Sequence, residues 1–149
     1  RGKLLYSIGK ANTKEIIILA RHMMKHGVVG DDDMRPDVAD ELDDRADGVR
    51  AALLARRDGA ELVASSLALG LGGVDLAAPP ARRLADAGNP RPDATARALL
   101  HLILGLCVTE QTRAQLRELG VVAEFDEAAA RDDFAWAVAT LVRGAVLDG

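Results

Sequence analysis

At 149 residues the chain fits one domain with room to bury a core, and a single cysteine permits neither an internal disulfide nor a thiolate metal cluster. Hydrophobic residues make up 49%, but two Phe, one Tyr and one Trp contribute little of that, so the core rests on Leu, Ala, Val and Ile; no apolar run reaches the roughly 18–20 residues that span a bilayer. The net charge of −4 argues against a surface that binds nucleic acid throughout, yet residues 1–26 carry +5 and the remainder −9, a basic head on an acidic body.

The first expected helix runs from Thr13 to His26, with Thr13 as N-cap, an apolar block at Ile16–Leu19 and Gly27 as its stop. After the loop GVVGDDDMRP, helical spacing of Val38, Leu42, Val49, Leu53 and Leu54 predicts a helix from Pro36 to about Arg57, weakened by Gly48. Asp58-Gly59 marks a turn, and a short helix follows over Ala60–Leu69. Pro79-Pro80 either opens or breaks a helix through Leu84 to Ala87, and Gly88, Asn89, Pro90 and Pro92 end it.

The longest helix is expected from about Asp93 to Leu119, closed by Gly120, its first half apolar all round and its second half amphipathic. A last helix starts at Glu127 or Arg131 and runs to Leu147. Phe134, Val138, Leu141, Val142 and Ala145 mark one face of it, while Trp136, Ala139, Val146 and Leu147 make the opposite side apolar too. Such a helix needs two neighbours, the second being a subunit across a two-fold axis or the middle of the chain's own core. The fold class expected is therefore all-α.

Chemical motifs are sparse. His22 and His26 share one helix face with Asp31–Asp33 soon after, but no third metal ligand is fixed by spacing, and histidines in a last turn also suit the helix dipole. The Gly70–Gly73 stretch lacks the Lys-Ser/Thr of a phosphate loop. His101 and Cys107 point in different directions on one helix, so they cannot form a base and nucleophile pair. No catalytic constellation, metal site or cofactor is indicated. His101 and Gly105 lie four apart on an apolar helix; a buried imidazole needs a hydrogen-bond partner, either protein or a small molecule.

Three segments carry a resemblance. RAALLARRDGAELVAS (Arg50–Ser65), LILGLCVTEQ (Leu102–Gln111) and FAWAVATLVRGAVLDG (Phe134–Gly149) resemble the C-terminal effector and dimerisation domain of TetR-family transcriptional repressors, of the tetracycline-repressor subclass. The most specific matches are RDGA at Arg57–Ala60 and the pair Glu110-Gln111. Leu5-Tyr6 with Lys10 and Lys14 is similar to the end of that family's DNA-recognition helix.

The resemblance implies a cytoplasmic homodimer that dimerises through a four-helix bundle and releases operator DNA when a small molecule enters each helical core. Residues 1–12 would be the remnant of a DNA-binding head whose helix-turn-helix is largely absent from the chain, with Lys3, Tyr6 and Lys10 nearest the DNA, and 13–149 the effector domain. Leu62, Val63, Ser66, His101, Leu104, Gly105 and Val108 would line the effector pocket, His101 matching a histidine that tetracycline repressors place near the drug and its magnesium. Leu106, Phe134, Trp136, Val138, Leu141, Val142 and Ala145 would form the dimer interface. The polar residues that follow RDGA in that subclass are replaced here by Val63 and Ser66-Leu67, which implies a more apolar effector. The alternative from another class is a dimeric helical small-molecule-binding protein without a DNA function, and an enzyme using His101 comes third.

Overall fold

The computed structural model describes residues 38–71, 73 and 75–147, so the expected helix at Thr13–His26, the His22/His26 pair and the DNA-proximal Lys3, Tyr6 and Lys10 lie outside the described residues. Within them the chain forms five helices and no strand: α1 (Val38–Leu54), α2 (Gly59–Ala68), α3 (Ala78–Asp86), α4 (Pro92–Glu118) and α5 (Glu127–Leu147). None is long and apolar enough to cross a membrane.

Local chemistry sets most of the boundaries. At α3 the proline pair sits in the first turn, where a missing N–H costs nothing. Pro92 opens α4 in the same way, one residue before the expected start. Helix α5 begins at Glu127 because Asp126 Oδ1 accepts hydrogen bonds from the N–H groups of Ala128 (2.9 Å) and Ala129 (3.0 Å). Gly120, at φ +70°, closes α4: its N–H donates to the carbonyl of Arg117 and that of Val121 to Leu116, capping the last carbonyls.

Helices α1 and α4 form the spine, each packing against the other four elements. Between them and α5 lies the core, where Leu42, Leu53, Leu84, Cys107, Phe134, Val138 and Val142 are fully buried. Each such aliphatic or aromatic side chain contributes roughly 1.5–3 kcal/mol by leaving water. Asn89 fastens the turn between α3 and α4 to the end of α5, donating from Nδ2 to the Ala145 carbonyl at 2.6 Å while its Oδ1 accepts from the Arg91 N–H at 2.9 Å.

Candidate functional site

Two features position the functional surface: a polar clamp at one end of the α1–α4 pair and an apolar cavity at the other. The clamp is built on Gln111. Its Oε1 accepts the N–H of Ala60 at 3.0 Å, and its Nε2 donates to the carbonyls of Leu53 (3.0 Å) and Arg56 (2.8 Å). One side chain thus satisfies the open end of α1 and the start of α2 together, which is why α1 stops at Leu54 rather than near Arg57. Asp58, at φ +60°, makes the reversal, and its Oδ1 accepts from Gln115 Nε2 at 2.6 Å. Gly59 has to be glycine: a Cβ there would overlap the Leu53 carbonyl oxygen.

Beside it Arg50 forms a two-pronged ion pair with Glu110, through Nε at 3.1 Å and the terminal nitrogen, and the guanidinium stacks 5.6 Å from the centre of the Phe134 ring. RDGA and Glu110-Gln111, the two most specific sequence matches, therefore meet in space, Gln111 bonding the Ala60 N–H and Gln115, one turn on, bonding Asp58.

The cavity has a volume of about 70 Å³, several times the roughly 10–15 Å³ that one water needs. Leu42, Arg45, Ala46 and Val49 of α1 form one wall; Ala96, Leu99, Leu100 and Ile103 of α4 form the facing one. Leu76, Pro79 and Pro80, at the entry to α3, complete it. Arg45 is the one charged side chain among the described residues that line it. The Arg45 terminal nitrogen lies 3.0 Å from Glu41 Oε1, while Glu41 Oε2 accepts from Arg83 Nε (2.8 Å) and its terminal nitrogen (2.6 Å). Hydrogen bonding from Arg83 holds the Glu41 carboxyl below the usual carboxylate range, against the opposing effect of burial.

None of the residues expected to line the effector pocket lines this cavity. Val63 and Leu104 are buried in the core and Val108 packs against it, whereas Leu62 is half-buried. Ser66 is buried with its hydroxyl spent on the Leu62 carbonyl at 2.7 Å. His101 and Gly105 are exposed. The reason is angular: at about 100° per residue, His101 stands roughly 140° and Gly105 about 180° around α4 from Ala96 on the cavity wall.

The expected interface set also divides. Phe134, Val138 and Val142 are 1–2% exposed and belong to the chain's own core, so they have no surface left for a partner. Leu106, Leu141 and Ala145 are half-buried against that core, and Trp136 alone stands out, 72% exposed. Cys107 is buried, and burial pushes its thiol up to about 12, which leaves it un-nucleophilic at neutral pH. Among the described residues no group of three His, Cys, Asp or Glu side chains could hold a metal ion.

Sequence reasoning missed Arg45 and the Pro79-Pro80 wall. The available signal was a charged residue set within the stripe Leu42, Ala46, Val49.

No protein-family model and no curated protein sequence matches the chain. Among solved structures, BioQ from Mycobacterium smegmatis is similar with a TM-score of 0.73 and 25% identity, over 100% of this chain and 81% of that one. BioQ with its natural double-stranded DNA operator gives 0.64 and 26%, over 90% and 72% of the respective chains. A variant of TetR from Acinetobacter baumannii AYE in complex with minocycline gives 0.62 over 97% and 77%, and at 20% identity that likeness is one of fold alone.

Proposed function

We propose that this chain, which has the TetR-family fold, is the effector-binding and dimerising part of a ligand-responsive transcriptional repressor. The observation that carries the reading is the apolar cavity between α1, α3 and α4 in a chain similar throughout its length to BioQ. BioQ has been solved with its operator DNA and a TetR variant with minocycline; both are facts about those proteins, and they support DNA and a small molecule as the partner classes here.

One wall of the cavity is formed by α1 between Leu42 and Val49, toward the end that follows residue 37 in sequence. A molecule that wedges α1 from α4 would move that end, and with it the basic N-terminal segment. It changes DNA affinity only to the extent that it binds one arrangement better than the other, because equal affinity shifts nothing.

Dimerisation is assigned to the outward faces of α4 and α5. Ala98, His101, Gly105 and Thr109 form an exposed stripe of mainly small side chains along α4, and Trp136 stands exposed on α5. Space over Gly105 and Gly144 is open, so a second copy of the helix pair can approach closely.

The test is a mobility-shift titration of the complete protein against the DNA upstream of its own gene, with and without small apolar molecules. The expected result is a shifted band at low salt that a cavity ligand weakens by roughly five- to 100-fold, the usual range of allosteric coupling. A dimer that binds ligand but no DNA, even at low salt, would instead make it a binding protein without a DNA function.

A further inference from the structure

We infer that the cavity selects an amphiphile with an anionic head, a carboxylate in its simplest form, which Arg45 grips while the aliphatic body lies between α1 and α4. The inference rests on the cavity being the effector site, and deepens that reading.

The walls set the body of the ligand. Leu42, Ala46 and Val49 face Leu99, Leu100 and Ile103, so among the described residues these two walls offer no polar side chain to a ligand's body. Arg45 sets the head. A guanidinium has five N–H donors, and the Arg45 Nε is buried without a hydrogen-bond acceptor among the described residues. Glu41 does not neutralise Arg45 alone, since Arg83 takes its other oxygen with two hydrogen bonds. A guanidinium that lines the cavity and shares its carboxylate with a second arginine gains a charge-assisted hydrogen bond when an oxyanion enters. A neutral ligand of the same length gains the apolar contacts but lacks the charge-assisted bond, and a cation meets Arg45 as a like charge.

Calorimetric titration of the chain at pH 7 with straight-chain alkanoates of four to ten carbons, each paired with the alkanamide of equal length, tests this directly. The expected result is that alkanoates bind at least tenfold tighter than their amides. Arg45→Gln should bring the ratio to about one with amide affinity changed by less than about twofold, and Arg82→Gln, an exposed charge on α3 away from the cavity wall, should leave the ratio intact. If Arg45→Gln does not fold, Arg45→Lys serves: it keeps the charge and stem but loses the fork, and should lower the ratio without abolishing it. Leu100→Trp, which fills the trough, should abolish binding of both probes. Equal binding of acid and amide to the parent chain, with Leu100→Trp still blocking both, overturns the anionic head while the cavity stands as the ligand site. No binding of either series, or binding that Leu100→Trp leaves untouched, overturns the cavity assignment itself.

Discussion

Asp43 sits on α1 with one carboxylate oxygen buried and unpartnered among the described residues. Burial raises its pKa, an effect that the charge of Arg143 offsets in part and those of Asp40, Asp47 and Asp44 reinforce. Because the folded value lies above the unfolded one, the folded state holds this proton more tightly. Stability from Asp43 is therefore present below the unfolded pKa and lost as pH rises through the folded value. Asp43→Asn should accordingly raise the thermal midpoint at pH 7, with the gain shrinking as pH falls toward 4. Parallel melting curves at several pH values would show it, and a pH-independent difference would point to packing instead. His101 teaches the complementary lesson. LLHLILGLCV looks apolar on every side, so the sequence invites burial of its histidine. What marks the outer face is the run of small or polar residues at Ala98, His101, Gly105 and Thr109, a weaker signal than the leucines around it.

Among the elements, helices were legible wherever the determinant is local. Asp126, Pro92 and Gly120 cap or open their helices through neighbours in sequence; the expected bounds of α4 fall within a residue of the observed ones, and α5 takes the earlier of its two expected starts, Glu127 rather than Arg131. Helix α1 ends early because Gln111, on a helix far along the chain, takes the Leu53 and Arg56 carbonyls, and no window around Leu54 contains that information. The resemblance located the residues of the clamp, and the structure supplies their reason. Since the Arg50–Glu110 pair is largely shielded, with side chains 14% and 11% exposed, deleting one partner should be costly. Glu110→Ala is expected to destabilise the chain by roughly 3 kcal/mol in denaturant unfolding, while the double substitution Arg50→Met with Glu110→Leu should recover much of it. A double variant as unstable as the single one would mean that geometry of the pair, rather than stranded charge, stabilises this junction.

For the whole molecule, α5 is two-sided, and Phe134, Val138 and Val142, expected at a dimer interface, lie on the side that faces the protomer's own core. A period of 3.6 identifies which residues share a face and not what that face meets. Phe134, Val138 and Val142 meet α1 and the core of their own protomer; Trp136 meets solvent in the single chain. The two faces predict different failures. Val142→Asp buries a charge in the core and should unfold the chain. Trp136→Glu should leave the helical content and melting of the protomer intact while weakening self-association, read by sedimentation velocity across a concentration series. An unchanged dimer with Trp136→Glu would remove the outward α5 face from the interface.

The division of α1 into a clamped end and a cavity end bears on how such a chain can diversify. At the clamped end, Arg50 and Leu53 answer to partners on α4 through specific bonds, and Gly59 to the close approach of the Leu53 carbonyl, so a single substitution there disturbs several groups at once. At the cavity end, Leu42, Ala46 and Val49 answer only to volume and apolarity. Mutational drift would then accumulate unevenly along one helix, with ligand preference free to wander over a few side chains while the junction holding the helix to its neighbours stays fixed. A lineage built on this plan can acquire a new chemical signal without reinventing its scaffold.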